Sequence, residues 1–231
     1  MSELRLEWGI KGLKKALKRR DNIVIIDQLR FSSAVVTATS LQFTIEPTSD
    51  NLRRTEGFSL SPSTFLNKKP SRVVVESPNG AYLSLNARKA KCVIYGSILN
   101  AKAIANWIDK IGENTTLIAA GEVGPERLQF ITGNELVLSK RNKIFAMEDA
   151  LAAGAIAHFV KMNKSKECIG VQELFENTKN KLLETLRDTA SHRYLESRSR
   201  GDDTVLCSKL NLYKVVPKLF FVRGIPEIRA R

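Results

Sequence analysis

The sequence predicts an α/β protein with three layers, helices packed on both faces of a mostly parallel or mixed sheet. Three observations carry that expectation. Short runs rich in β-branched residues recur at 23–26, 72–76, 91–95 and 116–120. They lack the alternation of a half-exposed strand, as suits strands buried on both faces. Each run stops at a turn of small or polar residues, and each of the first three turns is followed by a stretch with helical character.

Taken in order, residues 10–20 predict a first helix, with Ile10, Leu13 and Leu17 on one face and four lysines elsewhere. The stretch 22–46 is the organising βαβ unit. Its strand, 23–26, ends at Asp27. Leu29 and Arg30 then turn, Ser32 and Ser33 are placed to cap a helix over 34–41, and a strand over 43–45 is ended by Pro47. Residues 48–70 are polar and turn-rich, long for a connection and short for a domain, which marks a functional loop. The strand 72–76 leads through Ser77-Pro78-Asn79-Gly80 to a helix at 81–87. The strand 91–95 leads through Gly96-Ser97 to an amphipathic helix at 100–111, and the strand 116–120 ends at Gly121-Glu122.

The second half is less regular. A hairpin over 128–139 turns at Gly133-Asn134. Helices are expected at 146–160, opening on Met147-Glu148-Asp149, and at 172–189. A basic, turn-rich stretch fills 191–203, and residues 204–210 read as strand or helix. Residues 215–222 read as a last strand, placed at a sheet edge because Pro217 interrupts it. With no repeat and no linker, the 231 residues are read as one domain over 1–231, with any division into lobes near 120–145.

The net charge of +13 favours anionic partners: phosphate esters first, with nucleic acid open on charge but lacking a recognised binding motif. No apolar run reaches membrane-spanning length and no leader peptide is evident, so no membrane partner is expected and the cytoplasm is the expected compartment. Cys92, Cys168 and Cys207 are too scattered for a zinc site and read as free thiols. A homo-oligomer is compatible with the sequence.

The motifs of known phosphate-binding loops and nucleophile elbows are absent. What stands out is polar residues at strand ends with carboxylates far apart in the chain. Asp27, the pair Glu148-Asp149 and the pair Asp202-Asp203, brought together by the fold, would suit Mg²⁺, which takes carboxylates, water and phosphate oxygens. Arg30, Arg193 and backbone amides near Ser33, Gly80 and Ser97 would hold an anion. The alternatives are ordinary: helix caps for Ser32 and Ser33, a plain turn for Asn79-Gly80, and favourable helix-dipole charges for Glu148 and Asp149, of which Asp149 is preferred as the metal ligand. His192, beside Arg193, is a further contact candidate.

Seven blocks in sequence order carry a resemblance. They are IDQLRFSSAV, GFSLSPSTF, VVVESPNGA, GSILNAKAIA, AAGE with MEDALAAGAI, SHRYL, and DDTVLCSKLNLYKVVP. Together they resemble the 2-phosphosulfolactate phosphatases, the ComB-type enzymes of coenzyme M biosynthesis. The resemblance implies a three-layer fold and Mg²⁺-dependent removal of phosphate from a small phosphorylated, sulfonated acid. Position by position it points to Asp27, Arg30, Ser32, Ser33, Asn79, Gly80, Ser97, Asn100, Glu148, Asp149 and Asp203. In this reading Asp27, Arg30 and Asp149 are catalytic. Ser32, Ser33, Asn79, Gly80, Ser97, Asn100 and Arg193 bind substrate, and Asp27, Glu148, Asp149 and Asp203 hold metal. Against the family pattern, Ser77 and Pro78 replace two threonines, Ala81 a third, Leu60 an asparagine and Asn211 an aspartate, and the glycine expected in the SHRYL block is missing. These changes keep open a catalytically silent member that binds an anion or nucleic acid through its basic surface.

Overall fold

The computed structural model describes residues 2–50, 53–123 and 143–230. The expected hairpin over 128–139 lies outside them. The described chain runs β1 (Glu3–Trp8), α1 (Gly9–Arg19), β2 (Asn22–Ile26), α2 (Phe31–Ser40), β3 (Thr44–Thr48), β4 (Arg72–Glu76), α3 (Gly80–Asn86), β5 (Val93–Gly96), α4 (Ala101–Ile111) and β6 (Thr115–Ala119). It continues through β7 (Glu122–Val123), β8 (Lys143–Ile144), α5 (Met147–Phe159), β9 (Asn163–Lys164), α6 (Lys166–Thr178), α7 (Leu182–Arg187), α8 (Ala190–Glu196), α9 (Asp203–Cys207), β10 (Pro217–Val222) and β11 (Ile225–Ala230).

Nine strands form one mixed sheet in the order β4-β3-β11-β10-β5-β2-β6-β1-β9, with β7 and β8 a separate pair. The strands from β5 to β9 in that order are parallel, as are β3 and β4. The antiparallel hairpin β10–β11 joins the two parallel blocks, touching each through a single residue pair, Lys218 with Ile94 and Ile228 with Ile45. The predicted three-layer α/β architecture is thus present, and its sheet draws strands from both sides of the 124–142 segment.

β2 lies between β5 and β6 and is buried at every residue. Alternate side chains face opposite layers, as the pleat requires. Val24 and Ile26 join the core built with α4, α5 and α6, while Ile23 and Ile25 join the core built with α1, α2 and α3. α5 is apolar on every face and buried from Glu148 to Ala157. A Cβ on its Gly154 would fall 2.0 Å from the Val171 carbonyl, so the glycine lets α5 and α6 approach. That packing fixes the direction of α5 and therefore the position of its acidic first turn.

Several expectations need correction. Pro217 does not mark an edge: β10 is internal. Pro217 is the strand's first residue and pairing with β5 begins one residue later, so no ladder donor is lost there. Pro47 does not end β3, which runs on to Thr48, because β11 reaches β3 only at Ile45 and makes no demand on the amide that proline lacks. The single helix expected over 172–189 is two helices, α6 and α7, separated by a 3₁₀ turn at Lys179–Lys181. The turn-rich stretch at 191–203 contains α8 instead. β1, β9 and β11 are further strands of the sheet that the expected elements do not include.

Candidate active site

The site is built around the turn that leaves β2. Asp27 is 6% exposed, and its Oδ2 accepts from the Gly80 amide at 2.8 Å and the Ser77 hydroxyl at 3.5 Å. Ser77 Oγ accepts in turn from the Asn79 and Gly80 amides at 3.3 and 3.1 Å. A Cβ on Gly80 would lie 2.1 Å from Phe31 Cδ1, so this turn closes on the start of α2 only with glycine. Asn79 precedes α3, is half-buried and offers that helix no side-chain cap.

Ser32 and Ser33 are not helix caps. They lie inside α2 and lace the turn together. Ser32 Oγ accepts from the Asp27 amide at 2.9 Å, and its own amide donates to the Asp27 carbonyl at 2.8 Å. Ser33 Oγ donates to the Gln28 carbonyl at 2.8 Å and lies 3.1 Å from Ser97 Oγ. Ser97 caps the turn after β5 reciprocally with Asn100. Asn100 is wholly buried, its amide donating to the carbonyls of Tyr95 and Val215 at 3.1 and 3.0 Å. Gln28, also wholly buried, ties three elements together. Its amide donates to Asp149 Oδ1 at 2.8 Å, its Oε1 accepts from the Ile98 amide at 3.0 Å, and its Nε2 donates to the Cys207 carbonyl at 2.9 Å.

Two charged groupings flank the turn. On one side Arg30 and Asp203 form a buried ion pair, and the Ser61 hydroxyl donates to the other Asp203 oxygen. On the other side stands the first turn of α5. Asp149 accepts from the Gln28 amide with one oxygen and the Gly121 amide with the other, both at 2.8 Å. The Ser191 hydroxyl bridges Glu148 and Glu122. Glu148 lines a cavity of about 290 Å³ with Glu122, Phe145, Met147 and residues of α7 and α8. The sequence favours Asp149 over Glu148 as the metal ligand. Asp149 is engaged by backbone amides, and Glu148 faces the open space.

Burial pushes the Glu148 carboxyl up to about 7, and the charges of Glu122 and Asp27 add to the rise. Burial likewise holds Asp149 well above the usual carboxylate range, reinforced by Glu148 and Asp27. Glu148 is thus within electrostatic reach of Glu122, Asp27 and Asp149, and Asp149 is within reach of Asp27. Among the described residues no group of three or more His, Cys, Asp or Glu side chains is assembled as a ready-made metal cage.

Of the sequence-predicted residues, Asp27, Ser32, Ser33, Gly80, Ser97, Glu148 and Asp149 come together, with Asn79 and Asn100 behind them and Arg30 and Asp203 alongside. Arg193 is not drawn in. It is exposed on α8 and donates to the Asp188 carbonyl at 2.7 Å, while its neighbours Ser191 and His192 turn inward, His192 Nδ1 lying 2.9 Å from Thr204 Oγ1. Reading the sequence missed Gln28, Ser61, Ser77, Glu122 and Ser191. Glu122 carried a usable signal, since it follows a β-rich run at a strand end as Asp27 does. The others are serines and a glutamine whose importance lies in what they bridge.

A curated relative from Caldanaerobacter subterraneus subsp. tengcongensis, described as a probable 2-phosphosulfolactate phosphatase, is 25% identical over 87% of this chain and 88% of its own. Relatives from Thermotoga maritima (26% identity, 87% of this chain and 89% of its own) and Clostridium novyi (22%, 90% and 93%) carry the same description. The family profile described as 2-phosphosulpholactate phosphatase matches residues 50–220. The chain belongs to the 2-phosphosulfolactate phosphatase family of phosphoric monoester hydrolases.

Proposed function

We propose that the protein is a Mg²⁺-dependent phosphatase that hydrolyses 2-phosphosulfolactate, or a closely similar small phosphorylated acid, to the hydroxy acid and phosphate. The observation that carries this reading is the meeting, around the β2 turn, of Asp27, of Asp149 and Glu148 from α5, the latter sharing the Ser191 hydroxyl with Glu122, and of the Arg30–Asp203 pair.

The donor set suits a hard cation. It is all oxygen, it is crowded with like charge, and Mg²⁺ needs only one or two protein carboxylates when water and phosphate oxygens complete its shell. Asp27 and Glu148 are the two that would hold it, with Glu122 beside Glu148 across the Ser191 hydroxyl. Bound there, the ion would offset charge on the transferring phosphoryl group and lower the pKa of a bound water.

The chain's own groups supply positioning. Asp149 holds the Gln28 and Gly121 amides and so fixes where α5 meets the β2 turn. The Gly80 amide orients the Asp27 carboxylate. Arg30, steered by Asp203, supplies positive charge for the phosphate or sulfonate. Burial holds the metal-free Glu148 carboxyl near neutrality, and the cation would favour its ionised form there. Phosphoryl transfer depends mainly on such positioning and charge stabilisation.

A panel of phosphorylated acids, assayed for inorganic phosphate with Mg²⁺ present, tests the proposal. The expected order is 2-phosphosulfolactate above its analogue lacking the sulfonate. Absence of release from every member would overturn the enzymatic reading in favour of a silent, anion-binding family member.

A further inference from the structure

A second cavity, of about 390 Å³, lies on the α4 side of the sheet. Trp107, Lys110 and Ile111 of α4 line it together with Lys214 and Val216, which lead into β10. Its volume is in the range of small-molecule sites. α4 starts beside the β5 turn and runs back to the start of β6, so its last turn lies at the sheet edge opposite Asp27. The cavity is therefore separate from the carboxylate site.

Its chemistry is amphipathic and cationic. Lys110 and Lys214 are exposed and make no ion pair among the described residues. The indole N–H of Trp107 is buried without an acceptor among the described residues. Positive charge continues along β10. Lys218 faces away from the side that Leu219 packs, and it stands directly opposite Arg229 of β11. Like charges so paired repel. Both flank the Phe220 ring, at 5.6 and 4.6 Å from its centre, and Glu227 lies 3.9 Å from Arg229.

We infer that this cavity is a second ligand site, taking a small organic anion with a flat apolar body, of the aryl or nucleoside phosphate kind. Trp107, Ile111 and Val216 contact the flat body, and Lys110 and Lys214 pair with the anionic group. Inorganic phosphate has the charge without the body and is not retained. The assignment is independent of the catalytic reading.

The test uses Trp8→Phe protein, in which Trp107 is the remaining tryptophan of the two. Phenylphosphonate is the probe, because its phosphorus–carbon bond is not a target of ester hydrolysis. Titration is expected to give a saturable change in Trp107 emission that weakens with added salt. Lys110→Glu with Lys214→Glu is expected to raise the dissociation constant at least tenfold and leave phosphate release from 2-phosphosulfolactate unchanged. Lys110→Ala with Lys214→Ala is expected to give a smaller loss of the same sign. No saturable change, an unaltered constant in both double variants, or an equal response to inorganic phosphate would overturn the assignment.

Discussion

Replacing Glu148 by glutamine is expected to stabilise the metal-free protein above neutral pH while damaging its chemistry. The Glu148 carboxyl is raised from 4.5 to about 7 by burial, with the charges of Glu122 and Asp27 adding to it. Below pH 4.5 the group is protonated in both folded and unfolded chains and costs nothing. Between 4.5 and about 7 the unfolded chain ionises first, so stability falls as pH rises, and above about 7 the loss is complete. A shift of this size corresponds to about 3 kcal/mol at full ionisation. Asp149 is shifted in the same direction and adds to the slope. Glutamine keeps an oxygen for the Ser191 hydroxyl and carries no charge. Urea denaturation in EDTA at pH 5 and pH 8 measures the effect. With a urea dependence of about 1–3 kcal/mol per molar, the variant's midpoint should exceed the wild type's by about 1 M or more at pH 8 and by much less at pH 5. Mg²⁺ should raise the wild-type midpoint at pH 8 and narrow the gap, since a cation favours the ionised carboxylates. A difference between the two proteins that does not change with pH would refute the electrostatic reasoning.

Other substitutions test single contacts. Asp149→Ala strands the Gln28 and Gly121 amides and is expected to cost about 2–5 kcal/mol in thermal or urea unfolding. Asp203→Ala leaves the Arg30 guanidinium buried without its carboxylate and should cost about 3–5 kcal/mol, with much of the loss recovered when Arg30→Met is added. Gly80→Ala forces a methyl against the Phe31 ring; a loss of about 1–3 kcal/mol in urea unfolding is expected, together with slower phosphate release, because the same amide orients Asp27.

The strand at 23–26 was legible because unbroken β-branched residues between polar boundaries leave few alternatives, and its end placed Asp27 correctly at the sheet's carboxyl edge. The acidic first turn of α5 was legible for a similar reason: Glu148 and Asp149 open a long apolar run. β1 carried a readable alternation, Leu4 and Leu6 against Arg5 and Glu7, that went unused. The true place of β10 was not legible. Local sequence reports that Pro217 lacks a donor, but only the fold shows that its neighbours ask for none. The roles of Ser32, Ser33 and Gln28 were hidden because the serines bond mainly within one turn and Gln28 bonds to groups up to 179 residues away. Arg193 was misplaced because α8 turns Ser191 and His192 inward, and helical geometry then sends the next residue outward.

The central claim is that carboxylates remote in sequence join at the β2 turn to hold a divalent ion against a phosphate ester. The most direct measurement is phosphate release from 2-phosphosulfolactate by EDTA-stripped protein as Mg²⁺ is added back, in the wild type and in Asp27→Asn. Saturable activation is expected in the wild type, with loss of most of that activity in the variant. Release that ignores both EDTA and Mg²⁺, or that survives intact in Asp27→Asn, would contradict it.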